Sequence, residues 1–304
     1  MTNQSIDKLL NYLIQLTKEV SQGRYNDSRE IFEFTKSGRY PENIVDLAES
    51  FGMMMVKIEA REFQLEGMIE ELREKNAELE KTLRKVEILE NIKKHLGRFV
   101  PRSVKRIIES KPENPDLQKQ NLDVSVLFLD LAGYTRMSEK LDAEKMNLFI
   151  EMYFSSFLDD IHQHNGDINE TAGDGLMVIF QDEEKTQHAV NAVRTAIAIQ
   201  EKVRSINRDL EGHFQPILVN IGINSGNALV GSTCFEGITG SRFTFTASGP
   251  LTNLAARIGA LARNGEILVG EETAMRTREK FSFKDLGPQE LKNVGEPIRV
   301  FQVL

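Results

Sequence analysis

Two aspartates set in glycine-bounded turns carry the first chemical signal in this chain: Asp130, in the stretch LFLDLAGYT, and Asp174, in ETAGDGLMVIF. Asp130 stands between Leu129 and Leu131, and a buried carboxylate without a partner is costly, so it is expected to have one. VSVLFLDL reads as a strand that ends at Asp130, and GDINETAGDGLMVIF reads as a hairpin turning at Gly173–Gly175 with Asp174 at its tip. In an antiparallel pair of neighbouring strands these two turns can lie side by side. Two carboxylates so placed repel unless a divalent cation lies between them, and hard oxygen ligands of this kind suit Mg²⁺ or Mn²⁺. The alternative is that each aspartate caps its own turn. Asn253 and Arg257, in TASGPLTNLAAR, stand four residues apart on an expected helix and so share a face. Taken alone, Arg257 reads as a surface ion-pair residue.

The elements that must position these residues follow from hydrophobic periodicity. After the first strand, a helix is expected from Ala143 to His164, with Met146, Phe149, Ile150, Tyr153, Phe157 and Ile161 as its apolar positions. The hairpin follows, then a helix over about Glu184 to Arg208. PILVNIGINSG and SRFTFTASG read as strands, and Pro250 to Ala262 as a helix with proline in its first turn. EILVGEE and IRVFQVL add two strands. The order is βαββαβ with additions, a ferredoxin-like α+β arrangement over 122–304.

Upstream, residues 1–55 read as a mixed helical region. Over 56–98 a heptad holds Ile58, Leu65, Leu72, Leu79 and Val86 in one register, while Ile69 and Leu83 fill the alternate seam around Asn76. This predicts a parallel two-chain coiled coil; the alternative is a solvated helix lying on its own globule. Leu89, Ile92, Leu96 and Phe99 break the spacing, a change that overwinds a coiled coil locally or ends it. Pro101 and SKPENPDLQKQ mark 99–121 as a linker.

Composition bounds the rest. The chain has 304 residues, 40% of them hydrophobic and 28% charged, as in ordinary soluble domains. No apolar run reaches the roughly 18–20 residues that span a bilayer. The first ten residues lack the pattern of a signal peptide. Cys234 is alone, which excludes an intrachain disulfide framework. A net charge of −8 disfavours broad attraction to nucleic acid or anionic lipid, so neither is expected as a partner, and a cytoplasmic location is expected. His162 and His164 have no acidic or thiol companions in IHQHNG and read as a helix-end pair. No GxxxxGK[ST] segment is present.

FLDLAGYT, ETAGDGLMVIF and TASGPLTNLAAR together resemble, in order and spacing, the catalytic domain of class III nucleotidyl cyclases, over about Asp123 to Leu304. The resemblance implies conversion of a purine nucleoside triphosphate to its 3′,5′-cyclic monophosphate and pyrophosphate. It implies two Mg²⁺ (or Mn²⁺) ions per active site, held by Asp130, Asp174 and the Leu131 carbonyl, with Gly133, Tyr134 and Thr135 offering main-chain N–H groups to phosphate. Asn253 would orient the ribose, Arg257 would neutralise charge on the α-phosphate, and Lys292 would bind the terminal phosphates. The family's sites combine residues of two subunits, so a homodimer through the catalytic domains and the coiled coil is implied. Glu170 and Thr246 occupy the base-reading positions. A carboxylate can accept from guanine N1–H and N2, and a hydroxyl can donate to O6, which favours GTP over ATP. An adenylate cyclase and a catalytically silent cyclase-like binding module are the alternatives.

Overall fold

In the computed structural model of the chain, the structure describes residues 3–22, 28–36, 39–134, 137, 139, 142–211 and 216–304. It divides into two compact units, Met1–Ile92 and Lys93–Leu304.

The first unit contains α1 (Asn3–Val20), a 3₁₀ segment (Ser28–Thr35) and most of α2 (Glu42–Leu96). Its core joins Leu13 and Leu16 of α1, Ile31 and Phe34 of the 3₁₀ segment, and Ile44, Ala48 and Met55 of α2. The heptad row seen in the sequence therefore starts earlier than Ile58. Stepping back by sevens from Ile58 reaches Phe51 and Ile44, and from Ile69 passes Glu62 and then reaches Met55 and Ala48. Down to Met55 this row is covered by α1 and the 3₁₀ segment. Beyond it Ile58 is half-buried, and from Leu65 onward the apolar positions of the row are exposed, from 46% at Val86 to 62% at Leu72. A helix of 55 residues, about 80 Å long, is held over its second half only by local propensity and i,i+3 pairs such as Arg73–Glu70.

The second unit opens with α3 (Arg102–Ser110), which lies within the stretch expected to be linker. Its start is stabilised from far away in sequence: the Asp167 carboxylate accepts from the main-chain N–H of Arg102 and of Ser103, each at 2.8 Å. No local sequence signal announces such a cap. Lys93 at the end of α2 pairs with Glu109 of α3 at 3.1 Å.

The remaining elements run β1 (Gln120–Ala132), α4 (Ala143–Gln163), β2 (Gly166–Ala172), β3 (Gly175–Phe180), α5 (Lys185–Asp209), β4 (Leu218–Gly237), β5 (Gly240–Ser248), α6 (Pro250–Leu261), β6 (Ile267–Gly270), α7 (Glu271–Thr277), β7 (Phe283–Gln289) and β8 (Ile298–Val303). The expected βαββαβ order is present. The strands form one sheet in the order β2-β3-β1-β4-β6-β8-β7, with β5 paired to β4 off this path. β4 and β6 are parallel; β1 pairs antiparallel with both β3 and β4. α7 and β7 add to the expected set; the EILVGEE stretch is a strand only to Gly270, where α7 begins.

Strand alternation divides β1 between two cores. Leu127, Leu129 and Leu131 join α4 and α5 in one core. Val124 and Val126, with Phe128 against them, face the other side of the sheet, where Ala255 of α6 packs. The seating of α6 requires a glycine at Gly222, facing Gly259 of the helix. A Cβ on Gly222 of β4 would lie 2.0 Å from the Gly259 nitrogen and 2.4 Å from its Cα. Both obstructing atoms are backbone, so no side-chain rotation relieves the clash. Gly222→Ala is expected to cost about 3 kcal/mol or more and to lower the thermal midpoint by roughly 6–12 °C. Thermal unfolding of the variant within about 2 °C of the parent would contradict this close approach.

Candidate active site

Asp130 is the last polar residue of β1 and pairs in register with Gly175 of β3. Its alternation with Leu129 and Leu131 places it on the α6 side of the sheet, at the strand end. The expectation that it is buried is therefore corrected: Leu129 and Leu131 go into the core, and Asp130 is exposed. What does constrain it is Asp174. β2 and β3 form the expected hairpin with Gly173 and Asp174 as its turn, and the Leu131 N–H donates to the Asp174 carbonyl at 3.1 Å. This bond fastens the hairpin tip to the end of β1. In a strand the N–H and C=O of one residue point to the same edge, so the Leu131 carbonyl faces the hairpin tip as well.

Partial desolvation at the strand end, then hydrogen bonding to Asp174 and its charge, push the Asp130 carboxyl up to about 6. The pair is a strained anionic site with a main-chain carbonyl beside it. Among the described residues no cluster of three His, Cys, Asp or Glu side chains is present. Two carboxylates and one carbonyl leave further positions on a hard cation to water and phosphate oxygens, the habit of Mg²⁺. The donor set fits such an ion. Gly133 follows with φ +88°, a left-handed conformation that turns the chain out of β1. Tyr134 is half-buried against the α4/α5 core. Thr135 lies outside the described residues.

Glu170 and Thr246 meet directly. The Thr246 hydroxyl donates to Glu170 Oε1 at 3.1 Å, although the residues lie on β2 and β5. A bulge makes this possible: the β2–β3 register shifts between Ile168 and Glu170. Ile168 packs on the α4/α5 core, so regular alternation would return Glu170 to that side. The extra residue instead leaves Asn169 and Glu170 both reaching β5, a use of bulges seen where a side chain must be re-aimed. Asn169, which sequence reasoning missed, donates to the Phe245 carbonyl at 2.9 Å. Nothing in NETAG marks a bulge. Because the Thr246 proton is directed at Glu170, donation to a bound base requires the hydroxyl to rotate.

Asn253 and Arg257 are exposed on the outer face of α6, whose inner face buries Thr252, Ala255, Ile258 and Gly259. The Asn253 N–H closes the first turn onto the Gly249 carbonyl at 3.2 Å. Among the described residues Arg257 has no acidic partner. Lys292, beside buried Leu291, is exposed in the loop between β7 and β8. The structure thus groups Asp130 with Asp174, Glu170 with Thr246, and Asn253 with Arg257.

A second polar constellation is chemically suggestive but closed. Ser125 Oγ lies 2.8 Å from His188 Nδ1, and His188 Nε2 lies 3.3 Å from Asp123. Ser125 and His188 are fully buried, and Arg276 covers Asp123 at 2.7 Å. No substrate reaches this serine; the network fastens β1, α5 and α7.

The family model for the adenylate and guanylate cyclase catalytic domain matches residues 117–304, and the chain belongs to that family. It is similar to adenylate cyclase 1 of Rhizobium meliloti (strain 1021), 24% identical over 186 residues that make up 60% of this chain and 27% of that protein. The chain thus spans about a quarter of the length of this relative. Among solved structures it is similar to the adenylyl cyclase CyaB from P. aeruginosa, with 29% identity and a TM-score of 0.58 over 62% of this chain and 96% of that one. It is also similar to the guanylyl cyclase Cya2, with 28% identity and a TM-score of 0.54 over 61% of this chain and 93% of that one.

The raised pKa of Asp130 has a measurable consequence in metal-free protein. A carboxyl whose folded pKa exceeds its unfolded value gives its full stability below about pH 4 and loses it as pH rises through about 6. A shift of that size corresponds to about 3 kcal/mol, which solvent exposure reduces to about 1 kcal/mol. Asp130→Asn is therefore expected to melt about 2–4 °C higher than the parent at pH 7 in EDTA. The gap should close at pH 4, and Mg²⁺ should narrow it at pH 7 by stabilising the parent. Equal midpoints at pH 7 in EDTA would contradict the repulsion.

Proposed function

We propose that this chain is a class III purine nucleotidyl cyclase, acting as a homodimer on GTP in preference to ATP and located in the cytoplasm. The observation that carries the reading is the Asp130–Asp174 pair fastened by the Leu131–Asp174 hydrogen bond, in a family that includes both kinds of cyclase. Bound divalent cations, two per site, would supply neutralisation of triphosphate charge and an acidified ribose 3′-hydroxyl. Asp130, Asp174 and the Leu131 carbonyl would hold them. Gly133, Tyr134 and Thr135 would turn main-chain N–H groups toward phosphate.

Asn253 would hold the ribose in line for displacement. Arg257, free of an acidic partner among the described residues, would meet the charge that builds on the α-phosphate in the transition state. Lys292 would anchor the terminal phosphates. Glu170, steadied by Thr246 and backed by Asn169, would accept from guanine N1–H and N2; adenine presents an acceptor at N1 and leaves the carboxylate opposed. The similar solved structures include an adenylyl and a guanylyl cyclase at nearly equal identity, so the base assignment rests on Glu170. Among the described residues no helix is long and apolar enough to cross a membrane.

The bare heptad row of α2 supports pairing with a second copy. A seam of Leu65, Ile69, Leu72, Leu79, Leu83 and Val86 is costly in water, Asn76 suits a fixed register, and the catalytic reading itself calls for two chains. A binding module without turnover is the competing reading. Retention of both aspartates and of Asn253 and Arg257 speaks against it.

Purified protein with Mn²⁺ is expected to produce cyclic GMP faster than cyclic AMP in parallel turnover assays. Faster use of ATP would overturn the guanine assignment, and no turnover of either would overturn the enzyme reading. Mixing inactive Asp130→Ala with inactive Arg257→Ala protein is expected to restore activity, because one of the two composite sites in a heterodimer keeps all its groups. Verified heterodimers that remain silent would refute sites shared between chains.

A further inference from the structure

At the end of the sheet away from Asp130 and Asp174, a cavity of about 230 Å³ opens between α3, the end of α4 and the start of β2. Its walls include Arg102, Arg106, His162, Asn165, Asp167 and Gln181. The six residues of β3 separate it from the Asp174 turn by about 20 Å. The geometry points to a binding site here for a phosphate-bearing anion.

Charge is the first reason. Arg102 and Arg106 stand four apart on one face of α3, where like charges repel. Arg102 also sits at the positive end of that helix, an unfavourable place for a cation. Among the described residues neither guanidinium has an ion-pair partner. The one acid in the wall, Asp167, is already engaged: Oδ1 takes the Arg102 N–H and Oδ2 takes the Ser103 N–H. The cavity therefore carries a net positive charge, two guanidinium groups against the single Asp167 carboxylate.

Donor chemistry is the second reason. Burial, then the Arg102 charge, holds His162 below the ordinary imidazole range, against the pull of Asp167 and Asp159. At neutral pH it offers a neutral ring. Asn165 and Gln181 add amide N–H groups. Two forked guanidinium groups with neutral donors around them match the several oxygens of a phosphate better than the two of a carboxylate. The histidine that looked idle in the sequence acquires a place.

The location gives occupancy a consequence. α3 is joined to the end of α2 by the Lys93–Glu109 pair and to the sheet by the Asp167 cap. An anion bridging Arg102 and Arg106 to residues of α4 and β3 would clamp α3 to the catalytic sheet, at the point where the N-terminal part of the chain enters it.

Isothermal titration of the full chain in EDTA, with inorganic phosphate and ribose 5-phosphate as probes, tests this without relying on catalysis. One anion is expected to bind per chain, about ten-fold or more weaker after Arg102→Gln or Arg106→Gln and not at all after both. Arg257→Ala, on the candidate catalytic face, should bind as the parent does. Tighter binding of ribose 5-phosphate would assign the site to phosphate esters, and tighter binding of inorganic phosphate to the free ion. The proposal is overturned if the parent binds neither probe, if the double variant binds undiminished, or if Arg257→Ala abolishes binding.

Discussion

The candidate site depends on one main-chain hydrogen bond, from the Leu131 N–H to the Asp174 carbonyl. β4 holds β1 to its end, and β3 pairs with it as far as Asp130–Gly175. Without the Leu131–Asp174 bond, however, the turn at Asp174 loses its tie to β1, and electrostatics favours its moving away because Asp130 and Asp174 repel. With it, the two carboxylates stay together at a strain visible in the raised Asp130 pKa. The large apolar side chains behind them make this affordable in free energy. Leu127, Leu129 and Leu131 lock β1 onto α4 and α5, and Leu176, Val178 and Phe180 lock β3 onto the same core. The core thus holds two like charges in a geometry they would not choose, which is the condition a divalent cation relieves.

Much of this was legible because it is local. The Gly173–Asp174 turn, the apolar faces of α4 and α5, and the proline-led start of α6 are short-range patterns, and they lie where the periodicity places them. The burial of Asp130 was misjudged because apolar neighbours in sequence are on the opposite face of a strand. Its true environment is set by the period of two, not by Leu129 and Leu131. The helix in the supposed linker was hidden for another reason: its cap, Asp167, lies on β2. The meeting of Glu170 with Thr246 likewise needs a bulge, and a bulge is a property of strand pairing rather than of the NETAG residues.

The two faces of the sheet divide the labour. The α4/α5 face is apolar and holds the sheet rigid. The other face carries Asp130 at the β1 end and α6 seated through the Gly222–Gly259 contact, with Asn253 and Arg257 outward. A helix pressed this closely on a strand has little freedom to tilt, so its two polar residues keep a fixed height above the sheet. Small residues at the contact are therefore part of how the polar ones are aimed. The Asn169 bond to Phe245 plays the same role on β5, holding Thr246 against Glu170.

The heptad row of α2 raises a different kind of constraint. A single stripe of one helix is satisfied inside the chain from Ile44 to Met55 and unsatisfied from Leu65 to Val86. Glu62, a charged residue in the row between Met55 and Ile69, marks the crossover, with apolar side chains on either side of it. What changes is the supply of partners, because α1 and the 3₁₀ segment are too short to cover the rest. In the proposed homodimer an identical row on a second copy would offer matching spacing along the seam of the lower half. Asn76 would then fall opposite its counterpart, where pairing in register satisfies both amides and a slip of one heptad sets them against Ile69 and Leu83. The proposed parallel pair would take its register from this one stripe, and the break in spacing after Val86 falls just before the helix passes to α3 and the catalytic sheet.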